Sequence, residues 1–284
     1  MTAQPAVRPP SQPPSEAGST APILQVRGLT KSYPSKTGPA LAITSVDVDV
    51  NRGEFVSIVG PSGCGKSTLL NCIAGLLKPS GGVVSVSGVP VGDQPPDNMS
   101  VVFQDYSRSL FQWFTVEKNV ALPLRRSGKS RTTKRQEVER MLGDVGLSAD
   151  VKTRYPWQLS GGMQQRVAIA RGLISRPEIL LMDEPFASVD AQTRMSLEDL
   201  VLRLWDQWKK SILFVTHDID EAIYVSDRVV VLTKGPSSVR AVIDVPLPRP
   251  RSQLDTRRLP EFAELRSQVL ELVLEADPGD PAAL

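Results

Sequence analysis

Residues 60–68 put the most chemistry into the shortest span of the chain. Gly60, Pro61, Ser62, Gly63, Cys64, Gly65, Lys66, Ser67 and Thr68 fit the glycine-rich loop that cradles phosphates, with the last glycine followed by lysine and a hydroxyl residue. Glycines let the backbone curl so that successive amide N–H groups point at phosphate oxygens. Lys66 adds a mobile full charge for the outer phosphates. Ser67 offers a hydroxyl to Mg²⁺, and a helix beginning here adds the partial positive charge of its N-terminus.

Two carboxylates, Asp183 and Glu184, close the apolar run 179–182. Acids at the end of a core strand are costly unless something positive meets them, and Mg²⁺ bound to phosphates is the natural partner. Asp183 can hold the metal, and Glu184 can take a proton from an attacking water. His217, the only histidine, directly follows the apolar run 212–216, a position that favours function over structure. Gln104 ends the short run 101–103. Ser160, Gly161 and Gly162 precede a helical pattern and read either as a simple N-cap or as a second anion site. Tyr33 reads first as a packing aromatic; its alternative is a flat platform for adenine.

These residues need elements to position them. The run 55–59 is apolar and β-branched, as a buried parallel strand should be. After the loop, Leu69, Leu70, Ile73, Ala74, Leu76 and Leu77 recur at helical spacing, which predicts a helix stopped by Pro79. Residues 23–26, 42–50 and 83–86 predict an antiparallel sheet, with Val46, Val48 and Val50 on one face. Tyr106, Phe111, Trp113 and Phe114 form an aperiodic aromatic segment, either tucked into the local core or presented as a docking surface. The basic stretch 125–135 reads as a solvated face, with contact to anionic lipid as the alternative. Helices are predicted around Val138–Val145 ending at Gly146, around Val167–Ile174 ending at Pro177, around 197–208 and around 262–269. Residues 229–232 predict a further strand. Residues 1–21, rich in Pro, Ser and Ala, predict a disordered tail, and 246–284 a C-terminal tail with a short helix.

The 284 residues allow a large core and more than one subdomain. An apolar content of 40% and a charged content of 23% are ordinary for a globular protein, and a net charge of +2 gives no reason to expect nucleic acid as a partner. No apolar run approaches the ~18–20 residues of a membrane span, and the N-terminus lacks a signal-peptide pattern, which predicts a cytoplasmic protein that reaches a membrane only by docking. The two cysteines form no metal pattern. Cys72 reads as a small buried hydrophobe. Cys64, beside Lys66, is expected to have thiolate character, so that alkylation blocks nucleotide binding and ATP protects.

Taken in order, the loop 60–68, Gln104, the segment 159–166 (Leu-Ser-Gly-Gly-Met-Gln-Gln-Arg), 179–184, Ser188-Val189-Asp190 and His217 resemble the ATP-binding-cassette (ABC) ATPases over roughly 22–235. The Ser-Gly-Gly segment discriminates, because other phosphate-loop enzymes lack it. Residues 155–166, 216–224 and 247–251 make the chain similar to the ATPase subunits of nitrate/sulfonate/taurine importers. Met163 stands where many cassettes carry Gln, and Gln112 where these importers usually carry Pro.

The resemblance implies an α/β fold: a P-loop NTPase core with a mostly parallel sheet, an antiparallel β subdomain, and an ABC helical subdomain over about 115–160, all within 22–245. It implies ATP and Mg²⁺ as cofactors. Tyr33 would stack on adenine, and the loop with Lys66 would hold the phosphates. Ser67, Gln104 and Asp183 would see Mg²⁺, Glu184 would polarise the water, and His217 would contact the γ-phosphate. Asp190 would lie at a dimer seam, Ser160, Gly161 and Gly162 would bind the γ-phosphate of ATP held by the opposite subunit, and Gln165 would be a further nucleotide-binding residue. It further implies a second ABC ATPase subunit in a homodimer, transmembrane permease subunits whose helix docks on 105–120, an extracytoplasmic solute-binding protein, and a place on the cytoplasmic face of the membrane. The solute would be a small anion. A soluble cassette ATPase of repair or translation is the competing class, but those usually carry two cassettes or a long coiled-coil insert, and neither is present here.

Overall fold

The computed structural model describes residues 7–8, 21–35 and 38–276. The predicted tail over 1–21 therefore lies, apart from Val7, Arg8 and Ala21, outside the described residues. In chain order the elements are β1 (Val7–Arg8), β2 (Leu24–Tyr33), β3 (Ala40–Val50), β4 (Phe55–Val59), α1 (Lys66–Ile73), β5 (Gly81–Val86), β6 (Val89–Pro90), β7 (Met99–Val102), α2 (Tyr106–Ser109), α3 (Val116–Val120), α4 (Arg131–Asp144), α5 (Gly161–Leu173), β8 (Ile179–Asp183), α6 (Ala191–Trp208), β9 (Ser211–Val215), α7 (Ile219–Val225), β10 (Arg228–Leu232), β11 (Ser237–Asp244) and α8 (Pro260–Glu275). They divide into two compact units, one containing residues up to Pro96 and from Ser211 onward, the other Asp97–Lys210.

The first unit is built on a mixed sheet in the order β6-β5-β2-β3-β11-β10-β4-β9, with β1 also on β11. Strands β10, β4 and β9 run parallel, and every residue of β4 and β9 is buried, which is why these segments are continuous apolar runs. Strands β2, β3, β5 and β6 are antiparallel neighbours. Their register sets Leu24 opposite Val50, Val26 opposite Val48 and Leu29 opposite Val46, so one apolar face closes against the core while Asp47 and Asp49 point away from it. Strand β11 escaped the sequence reading although Val239, Ala241 and Ile243 alternate; the interposed Arg240 and two serines hide the pattern.

The second unit contains the parallel pair β7 and β8, with Met99 opposite Ile179 and Val102 opposite Met182. Helix α4 starts at Ser130, whose hydroxyl accepts from the Thr133 amide, and buries Val138, Met141 and Leu142 on one stripe. Helix α6 buries Leu197, Leu200, Val201 and Leu204 in the same way. Helix α1 of the first unit is shorter than its apolar spacing suggests. It stops at Ile73, where the Leu76 and Leu77 amides both donate to the Asn71 carbonyl and turn the chain out of the helix. Leu76 is exposed as a result. The fold is α/β, with the parallel strands carrying the loop and the antiparallel strands flanking them.

Candidate functional site

In the first unit, β4 delivers the chain into the loop at Gly60. Gly65 caps α1 at φ +102°, in the region that residues with a Cβ avoid, so the loop can enter α1 in this way only because this position is glycine. Lys66 is buried, and its Nζ donates to the carbonyls of Gly60 at 2.8 Å and Pro61 at 3.0 Å. The ammonium is thus held over the curl of the loop, where an anion would meet it. Ser62, Gly63 and Ser67 are exposed. Thr68 lies 3.5 Å, hydroxyl to hydroxyl, from Tyr33, whose ring is half-exposed with Lys31 Nζ 5.1 Å from its centroid. The structure therefore brings Tyr33 to the first turn of α1.

Cys64 corrects the expectation of a reactive thiol. Its side chain is enclosed beneath the loop, with only 1% of the residue exposed, so a reagent has no approach in this conformation. Cys72 is buried as expected, and burial pushes its thiol pKa up. His217 is exposed at the end of β9. Its neighbours are fixed: the buried Thr216 hydroxyl donates to Glu221, the Asp218 amide donates to Thr216 Oγ1 at 3.0 Å, and the Glu221 amide donates to Asp218 Oδ1 at 3.0 Å.

In the second unit, β8 ends at the buried Asp183. Glu184 follows at φ +40°, a left-handed backbone that costs a side-chain-bearing residue about 1–3 kcal/mol. Gln104 Nε2 donates to Glu184 Oε2 at 3.2 Å, joining the ends of β7 and β8. Ser160 is exposed at the start of α5, where its Oγ accepts from the Met163 amide at 3.4 Å. A Cβ on Gly161 would lie 2.6 Å from the Tyr106 hydroxyl, and one on Gly162 2.6 Å from Thr193 Cγ2, so the chain can pass α2 and α6 here only without side chains. Asp190 caps α6 and accepts from the Thr193 amide at 2.9 Å and its hydroxyl at 2.7 Å, which hold the carboxyl below its ordinary pKa.

Gln165, also on α5, is fully buried, and its amide oxygen and nitrogen have no hydrogen-bond partner among the described residues. Sequence reasoning also missed two anchors. Arg166 donates to the Val145 carbonyl at 2.6 Å and to Ser196 Oγ at 2.8 Å, tying α5 to the end of α4 and to α6. The buried Asn119 accepts from the Phe111 amide at 2.9 Å and donates to the carbonyls of Phe111 and Phe114 at 3.0 and 3.1 Å. It thereby shapes the aromatic segment, on which Trp113 is 70% exposed beside Phe111. The basic stretch is partly paired, Lys129 with Glu137 and Arg135 with Glu117.

Among the described residues no group of three His, Cys, Asp or Glu side chains could bind a metal alone, and no helix is long and apolar enough to cross a membrane. The buried Asp183 at the end of β8 is nonetheless the kind of ligand that Mg²⁺ takes together with substrate phosphates and water.

Residues 43–187 match the family model described as ABC transporter. The chain is 43% identical over 246 residues to the nitrate import ATP-binding protein NrtD of Synechococcus elongatus, covering 86% of this chain and 88% of that protein. It is 45% identical over 254 residues to the bicarbonate transport ATP-binding protein CmpC of the same species, covering 87% of this chain and 37% of that longer protein. Among solved structures, the ATP-binding cassette MJ0796, dimeric in a post-hydrolysis state with ADP and Pi, superposes with a TM-score of 0.69 at 33% identity, covering 78% of this chain and 99% of that one. The chain belongs to the ABC transporter family and is an ATPase of that type.

Proposed function

We propose that this protein is the ATP-hydrolysing subunit of an importer for a small oxyanion, working as a head-to-tail pair docked to permease subunits on the cytoplasmic face of a membrane. The likeness to NrtD and CmpC supports import and the oxyanion class. In this reading Tyr33 stacks on adenine, while the amides of 60–68 and Lys66 hold the phosphates. Ser67, Gln104 and Asp183 would hold Mg²⁺, which would supply positive charge to the phosphate oxygens. Gln104 can do this through Oε1 while Nε2 keeps its bond to Glu184. Glu184 accepts the proton of the attacking water, and His217 contacts the γ-phosphate.

Ser160, Gly161 and Gly162 of a second copy complete the γ-phosphate contacts, with Asp190 at the seam. ATP touches both copies and shifts them towards the closed pair; ADP lacks the bridging phosphate and lets them part. The exposed Trp113 with Phe111 and Phe114 is the surface for a permease helix, and an extracytoplasmic binding protein delivers the solute.

The observation that carries hydrolysis, rather than binding alone, is Glu184: a half-buried carboxylate next to Asp183, oriented by Gln104. Steady-state turnover of Glu184→Gln tests it. The expected result is a loss of about 10²-fold or more in kcat with ATP affinity retained. Normal turnover in that variant contradicts the assignment.

A further inference from the structure

We infer that residues 249–266 act as a clamp on α7 that positions His217, which makes Arg251 and Asp220 positioning residues for ATP hydrolysis; this rests on the γ-phosphate role of His217 proposed above. Helix α7 has seven residues and begins directly after the turn that carries His217. A helix this short is marginal by itself, and its last carbonyls have no partners within it.

The segment after β11 supplies those partners. Arg251 donates to the carbonyls of Ile223 at 2.8 Å, Tyr224 at 2.5 Å and Ser226 at 2.5 Å. Arg249 donates to the Val225 carbonyl at 3.1 Å and to Asp227 Oδ1 at 2.8 Å. Four consecutive carbonyls, 223 to 226, are therefore each met by a guanidinium from one short stretch, the charge sign a helix C-terminus favours. At the other end, Asp220 meets Arg266 Nε at 2.9 Å and Arg257 Nη1 at 3.9 Å, and Arg257 also lies over the rings of Tyr224 and Phe262.

Burial pushes the pKa of Arg251 down to about 9, so it remains cationic at neutral pH. Burying a guanidinium for stability alone is poor design, since an apolar side chain of similar size commonly does as well. What the arginines provide is a fixed direction. The helix is a rigid body roughly 10 Å long, and its first turn shares the Thr216, Asp218 and Glu221 hydrogen bonds with both neighbours of His217. A change of grip at residue 224 or 226 therefore arrives at residue 217.

The sequence contains one histidine, so its imidazole gives a single resonance set in the intact protein. Arg251→Gln should shift or double that signal, lower kcat about tenfold and leave KM within about twofold, the loss expected of a small misplacement. Arg251→Lys should recover part of the loss. In a His217→Ala background, Arg251→Gln should cost nothing further in kcat, because both changes remove the same contact. Equal losses in both backgrounds, a raised KM with kcat intact, or an unmoved imidazole signal would each overturn the clamp. Should Arg251→Gln fail to fold, Asp220→Asn at the opposite end of α7 takes the same tests. Full turnover by His217→Ala alone would instead contradict the role given to His217, while the imidazole signal still decides whether the clamp positions it.

Discussion

Lys66 Nζ is engaged by the carbonyls of Gly60 and Pro61, so in the proposed role its charge is held in place before a phosphate arrives. Lys66→Ala removes that charge without disturbing Gly65, and ATP affinity measured by calorimetry should fall at least about tenfold, or ~1.4 kcal/mol. Unchanged affinity would separate the loop from the nucleotide. Thiol titration tests the other correction at this scale: with Cys64 and Cys72 both buried, neither should react in the folded protein and both should react after unfolding. Lys66, Ser67, Asp183 and Glu184 were legible in the sequence because spacing and flanking strands set them. Gln165 is a polar residue at a buried helical phase. It shares a face with Ala168, Ile169 and Gly172, all buried, and that periodicity was there to be read. The positive φ of Glu184 had no signal in the sequence at all, since it follows from how the chain leaves β8.

Elements with one apolar face, such as β3, α4 and α6, were predictable because burial writes its period into the residues. The end of α1 was not, because a capping pattern at Asn71 overrides two further leucines. Nor was the aromatic turn 111–114, whose shape depends on the Asn119 amide reaching back from α3. Asn119→Leu would leave the Phe111 amide and the carbonyls of Phe111 and Phe114 without this partner. It should lower unfolding free energy by about 1–3 kcal/mol and alter tryptophan fluorescence through Trp113; a silent substitution would mean the turn is held elsewhere. Helix α6 carries a pH prediction. The Asp190 carboxyl is held below its ordinary value by Thr193, so its contribution to stability is fully present above the unfolded-state pKa of about 3.9 and is lost as pH falls through the lower folded value. In thermal melts Asp190→Asn should lose less stability on acidification through that window than the parent chain does.

Each copy of the chain carries one phosphate loop and one Ser160-Gly161-Gly162 helix start. Tyr33, the loop and His217 belong to the first unit, and Gln104, Ser160, Asp183 and Glu184 to the second. The sequence made both sets legible, because each depends on a local strand or helix end; it was silent on the clamp around α7, whose partners lie about 25 residues apart and meet only through the fold. The proposed engine requires that a triphosphate gripped by the loop of one copy be met by the serine-glycine turn of another. Light scattering during size exclusion of Glu184→Gln tests this most directly. With ATP and Mg²⁺ the mass should rise to about twice the 30.9 kDa of one chain, and a further change of Ser160 to Ala should weaken that pairing while ATP stays bound. A variant that binds one ATP per chain yet keeps the single-chain mass at every concentration would contradict the account.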